Sequence, residues 1–168
     1  MSNEKELQDH LSKAEGYLAL GLHEDALTET TAAVELDLAS YAAHYLHGLA
    51  LIALDRLDEA RAALMEAVAL EPERPETFVH LAYVDRRNVS LDKAIETIHK
   101  AIELKPDLPL ANYNLACYHA VKGEPDEALR YLRRAVNVEP HYREIARADE
   151  DFDSLRTTPD FRRLVEMD

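Results

Sequence analysis

Cysteine occurs once in the chain, as Cys117 in Leu115-Ala116-Cys117-Tyr118, and His119 follows it by two residues. A thiol becomes a nucleophile when a base or a positive field lowers its pKa. Residues two apart on a helix point to different faces, so His119 does not serve Cys117 locally. Cys117 therefore reads as a small buried hydrophobe. His44 and His47 stand three apart, close enough on a helix to share an ion. A zinc site needs three or four ligands, and no third ligand stands beside them at helical spacing. The chain also lacks a Gly-rich phosphate loop, a Gly-x-Ser-x-Gly elbow and a His-Glu-x-x-His pair. The expectation is a protein without catalytic residues, metal or cofactor. The groups that remain chemically interesting are contact groups: Tyr45, Tyr83 and Tyr113, and the adjacent cations Arg86 and Arg87.

Composition narrows the partner. The 168 residues carry 19 Lys+Arg against 33 Asp+Glu, a formal net charge of −14. Binding a phosphate backbone needs a basic footprint, so nucleic acid is not expected. A single Cys excludes an internal disulfide framework. The N-terminus has neither the basic nor the apolar region of a signal peptide. Gly48-Leu-Ala-Leu-Ile-Ala-Leu54 ends at Asp55-Arg56, far short of a bilayer span. A cytoplasmic protein without membrane insertion is expected.

The elements that position these groups repeat. Segments 7–40, 41–74, 75–108 and 109–142 align without a gap at a period of 34 residues. Ala26, Ala60, Ala94 and Ala128 recur in register, as do Ala33, Ala67, Ala101 and Ala135, and Pro72, Pro106 and Pro140. Each unit reads as two helices. In the second unit Tyr41 to Leu54 is one, Asp55-Arg56-Leu57-Asp58 is a polar turn, and Glu59 to Leu70 is the other. Ala60, Ala63, Leu64, Ala67 and Val68 recur there at helical spacing. Pro72 follows the stop. Gly21 and Gly123 suit the turns inside the first and fourth units, and Pro125 suits the first turn of a helix. The recurrent Ala residues, with Gly48, Ala14, Ala82 and Ala116 on the first helices, let the two helices approach to about 8–10 Å.

This pattern resembles the tetratricopeptide repeat family. The family's early aromatic is present only as Phe78, with His10, His44 and Asn112 in the other units, and the first unit has Leu38 where the closing Pro would stand. The resemblance implies an all-α fold, a right-handed superhelical α-solenoid of antiparallel helix pairs. It divides the chain into repeats over 1–142 and a C-terminal helical capping segment over 143–168. One helix pair cannot bury its apolar face alone, so neighbours must stack and ends must be sealed. Thr158-Pro159 reads as an N-cap followed by Pro at the first helical position. Phe152, Leu155 and Phe161 are the apolar anchors of the tail. The preferred reading is that they cover the fourth repeat; the alternative is that they fold back into the groove as an internal ligand.

The resemblance also implies that the first helix of each unit lines a concave groove. Its lining would then include Tyr45, Leu49 and Ile52, then Val79, His80, Tyr83, Arg86 and Arg87, then Tyr113, Asn114 and Cys117. Tyr offers stiff contact area with a polar tip. Arg86 and Arg87 could hold a carboxylate bidentately, and Asn114 could bond a peptide backbone. Co-chaperones of this family that hold acidic chaperone tails use Lys and Asn on the groove. Leu11, Glu15, Leu46, Glu76 and His80 stand there instead, so the groove suits an apolar or amphipathic segment.

Charge is uneven as well. Residues 1–40 hold 2 basic and 9 acidic groups, net −7. That gradient could orient a bound segment, although a solvated acidic face is the simpler reading. The expected function is a non-catalytic adaptor or scaffold that binds a protein segment in the groove. The alternatives are a homo-oligomeric scaffold and a secretion or assembly chaperone that shields an apolar partner segment.

Overall fold

The computed structural model of the chain describes residues 3–166. Eight helices come in successive pairs: α1 (Asn3–Ala19) with α2 (His23–Leu36), α3 (Tyr41–Ala53) with α4 (Leu57–Leu70), α5 (Pro75–Asn88) with α6 (Leu91–Leu104), and α7 (Pro109–Lys122) with α8 (Pro125–Val138). The tail adds α9 (Tyr142–Ala148), a 3-10 helix (Glu150–Leu155) and α10 (Pro159–Glu166). No strand is present among the described residues. The fold is all-α, an α-solenoid of antiparallel helix pairs.

The starts and stops have local causes. Ser40 and Ser90 cap α3 and α6, their hydroxyls accepting from the amides of Ala43 and Lys93. Pro75, Pro109 and Pro125 stand in the first turns of α5, α7 and α8, where their missing N–H is not needed. Gly123 closes α7 in the left-handed region at φ 80°. Helix α4 begins at Leu57, two residues before the expected start. Leu57 is an apolar side chain packed against the core, and Asp58 and Glu59 favour the positive end of the helix.

Packing follows the small residues. Ala26, Ala60, Ala94 and Ala128 are fully buried, as are Ala33, Ala67, Ala101 and Ala135. At Gly48 the approach is closest: a Cβ there would lie 2.8 Å from Cγ and Cδ2 of Leu64. The apolar interior is a succession of clusters, one joining α1 to α3, one joining α3 and α4 to α5, and one running from α5 into the tail. This is the construction of a stack in which each unit contacts its neighbours. Each second helix packs on the next first helix, and successive first helices also touch one another. The stack is therefore tighter along α1, α3, α5 and α7.

Polar groups bind the units further. Asp85 of α5 is fully buried and accepts from Arg61 Nε of α4 at 2.8 Å and from the Thr97 hydroxyl of α6 at 2.6 Å. The residues that stand where the family carries an early aromatic have found another use. His44 Nε2 donates to the carbonyl of Leu38 at 3.1 Å, and Asn112 Nδ2 to the carbonyl of Pro106 at 2.9 Å. Each reaches the carbonyl six residues back and fastens the loop that enters its own repeat.

Helices α9 and α10 pack against α8 and each other. Phe152, Leu155, Phe161 and Val165 are buried in one cluster with Leu132 and Val136 of α8. The 3-10 helix, however, packs on α7. No helix among the described residues is long and apolar enough to cross a membrane.

Candidate partner-binding groove

The first-helix face divides into an open part and a covered part. In the open part, Tyr45 of α3 is half-buried, stacked on Tyr41 at 5.6 Å between ring centroids. Its ring also meets His80 of α5 edge-on at 5.7 Å. Burial pushes the Tyr45 hydroxyl up to about 12 and holds the His80 imidazole below its ordinary value. Leu49 and Ile52 are half-buried on α3. One turn beyond His80, Tyr83 is 39% exposed. Arg87 Nη1 donates to the Tyr83 hydroxyl at 3.1 Å, and Arg87 Nη2 pairs with Asp55 at 2.8 Å. The Arg87 guanidinium also lies over the Tyr83 ring, 5.7 Å from its centroid, so Tyr83 is a partly exposed ring that Arg87 braces.

The covered part lies over α5 and α7. Arg86 donates two hydrogen bonds to Asp151, at 2.5 and 2.6 Å. The expectation that this arginine can grip a carboxylate bidentately is met by the chain itself. Tyr113 donates its hydroxyl hydrogen to Asp149 Oδ2 at 2.7 Å, stacks on Tyr142 at 4.7 Å and meets Phe152 edge-on at 5.9 Å. Its exposure is 5%. Cys117, also buried, points its thiol at the same Asp149 oxygen, 3.7 Å away. Burial, then Asp149 and Asp151, push this thiol far above its ordinary value. It stays a protonated donor, the opposite of a nucleophile. His119 turns the other way, stacked on Tyr131 at 5.6 Å with Nδ1 2.6 Å from Glu124.

Two expectations change here. Tyr113 and Cys117 are not free groove surface, because residues 149–152 of the same chain lie on them. The favoured role for the tail, sealing the fourth repeat, describes α9 and α10; the segment between them contacts three residues of the expected lining. Val79 is likewise buried, at 3% exposure, in the cluster that joins α5 to α7. At the same place in the unit Leu11 and Tyr113 are buried too, Tyr113 beneath residues 149–152, whereas Tyr45 is only half-buried. Asn114 is half-buried on α7.

Sequence reasoning singled out neither Asp149 nor Asp151. A signal was available, since Arg86 wanted a carboxylate and residues 149–153 supply four acids. Cys117 Sγ and an oxygen of each of these aspartates lie within 4.8 Å of one another, which is also metal-ligand spacing. Arg86 and Tyr113 already occupy those oxygens. His44 and His47 are engaged elsewhere, with the Leu38 carbonyl and the Thr30 hydroxyl.

Helix pairs repeated at this period and packed in this order define a class, the helical-repeat scaffolds of protein–protein interaction. Within it the chain belongs to the tetratricopeptide repeat family. The family's sequence pattern, described as tetratricopeptide repeat, matches residues 41–74 and 109–142. The crystal structure of MamA is 30% identical over 82% of this chain and 81% of MamA, with a TM-score of 0.73. PilF of Pseudomonas aeruginosa is 15% identical over 99% of this chain and 70% of its own, with a TM-score of 0.79. YrrB, described as a TPR protein with an unusual peptide-binding site, is 18% identical over 99% of this chain and 90% of its own, at TM-score 0.71. The last two show likeness of fold. No curated protein sequence matches the chain.

Proposed function

We propose that this protein is a non-catalytic cytoplasmic adaptor that holds an apolar or amphipathic segment of a protein partner along α3 and α5. The observation that carries this reading is the edge contact between Tyr45 and His80 with Tyr83 exposed one turn beyond. It makes an aromatic strip that crosses from one repeat to the next, flanked by Leu49 and Ile52. Buried Tyr rings with accessible polar edges are the composition of interface hot spots. The strip has no carboxylate-binding clamp, so apolar contact would supply the affinity and the Tyr83 hydroxyl the register.

The test is capture of a partner from the extract of the source cells, identified by mass spectrometry, followed by Tyr45→Ala with Tyr83→Ala. The double variant should lose that partner while its circular dichroism stays helical. Capture undiminished in a helical double variant would remove the groove from the mechanism. Tyr113 is the wrong choice for this test, because its replacement would disturb the tail.

A further inference from the structure

Residues 149–152 lie on the first-helix face of the third and fourth repeats. They touch Arg86, Tyr113 and Cys117, three of the positions that line the groove of this family, and they do so with two carboxylates and one aromatic ring. Sealing an array requires apolar cover. That cover is provided by Tyr142 and Ala146 of α9, by Phe161 and Val165 of α10, and by Phe152 and Leu155 of the 3-10 helix, all buried in one cluster with α8. A seal has no need of Asp149 and Asp151. In a chain of net charge −14 there is even a cost in placing two acids side by side. The face that receives them has matching donors: the guanidinium fork for Asp151, and the Tyr113 and Cys117 hydrogens for Asp149. The Arg86 fork also lies over the Tyr118 ring, 5.4 Å from its centroid, which fixes its plane.

We propose that the first-helix face of the third and fourth repeats is a binding site for an acidic–aromatic segment, two carboxylates two residues apart followed by an aromatic, and that Asp149-Glu150-Asp151-Phe152 occupies it in cis. Each donor assigns one feature. Arg86 selects the second carboxylate by its planar fork. Tyr113 and Cys117 select the first. The Tyr113 ring meets the aromatic edge to face at 5.9 Å, and Phe161 lies 5.5 Å from the same aromatic. Glu150, exposed between the two aspartates, is free to vary. A partner segment with this spacing competes with the tail, so the tail acts as a latch that sets how much of the groove is available. The grip is at the rim, with side-chain exposures of 29% for Arg86 and 22% for Asp151, which gives an incoming carboxylate access to the fork. This adds to the adaptor reading a second site, on α5 and α7, and rests on that reading for the role of the groove. The strip at Tyr45 and Tyr83 lies outside the latch, so loss of partner capture there and failure of the latch are separate results.

The experiment uses the full chain and a fluorescein-labelled peptide of residues 147–157. In the variant Asp149→Asn, Asp151→Asn, Phe152→Ala the site is freed. By the arithmetic of a site occupied in cis, the peptide should bind it roughly tenfold or more tightly than it binds wild type. Adding Arg86→Ala should remove that gain, and a scrambled peptide should show none. A helical variant that binds the peptide no better than wild type, or equally well without Arg86, overturns the proposal. Loss of helical signal in the variant moves the decision to hydrogen exchange in the wild-type protein. The amides of Asp151 and Phe152, both hydrogen-bonded to Asp149, should then exchange through local opening well ahead of the amides of α7. Exchange together with α7 at the global rate would mean a fixed part of the core and would overturn the latch.

Discussion

Arg86 on α5 and Asp151 in the tail share two hydrogen bonds, at 2.5 and 2.6 Å, across 65 residues of chain. The pair fastens the tail to the third repeat, not to the fourth that precedes it. Hydrogen bonds to charged groups contribute about 1.5–3 kcal/mol when made in partly buried surroundings. Arg86→Ala should lower stability by about 1–2 kcal/mol in urea denaturation, since both side chains retain some water. Asp151→Asn should cost a similar amount. The double variant should cost less than the two together, and a coupling below about 0.5 kcal/mol would show that the pair is not energetically joined.

Asp85 should be far more sensitive. It is fully buried, and both its oxygens are used, one by Arg61 of α4 and one by Thr97 of α6. Arg61→Ala leaves a buried carboxylate with a single neutral donor. Breaking a buried pair in this way costs about 3–5 kcal/mol. Arg61→Met, which retains the apolar stem, should be nearly as damaging if charge decides, and much milder if packing does. Thermal unfolding of the two variants separates these outcomes.

Two glycine substitutions should act through different physics. Gly48→Ala drives a Cβ to 2.8 Å from Leu64 where α3 crosses α4. Overpacking of this kind costs about 1–3 kcal/mol, and Leu64→Ala in the same chain should relieve part of it. Gly123→Ala meets no neighbour within 4 Å but must hold φ near 80°. Its cost should be about 1 kcal/mol, with no relief from any partner substitution. Equal response of both variants to Leu64→Ala would contradict this division.

The contrast between Gly48 and Asp85 shows what was legible in the sequence. Gly48 and the Ala series repeat every 34 residues, so their role in close approach could be read directly. The helix pairs and the family followed from that. Asp85 and Asp151 have partners 24 and 65 residues away, set by how units stack and where the tail turns. A period identifies the face a residue occupies but not what lies against it. Arg86, Tyr113 and Cys117 were placed on the first-helix face by period, while their cover by 149–152 was beyond its reach. Val79 is buried for a related reason: it shares its place in the unit with half-buried Tyr45 but packs into the cluster that joins α5 to α7.

Acid should weaken the protein in two separable steps. Burial holds His47, His80 and His99 below the ordinary imidazole value of 6.5. The neutral ring is favoured in the folded chain, so below that value the unfolded chain binds protons that the folded chain does not. Their contribution is therefore complete above pH 6.5 and is lost as pH falls through the lower folded values. Glu59 and Glu124 are held below the ordinary 4.5 by Arg56 and His119 respectively. Their contribution is complete above 4.5 and is lost only in stronger acid. The urea midpoint should thus begin to decline as pH falls below about 6.5, before the carboxylates respond below about 4.5. His80→Gln removes the group pressed against Tyr45 and should reduce that first decline while leaving the second in place. A decline that begins only below about pH 4.5 would show that the three imidazoles are not carrying it.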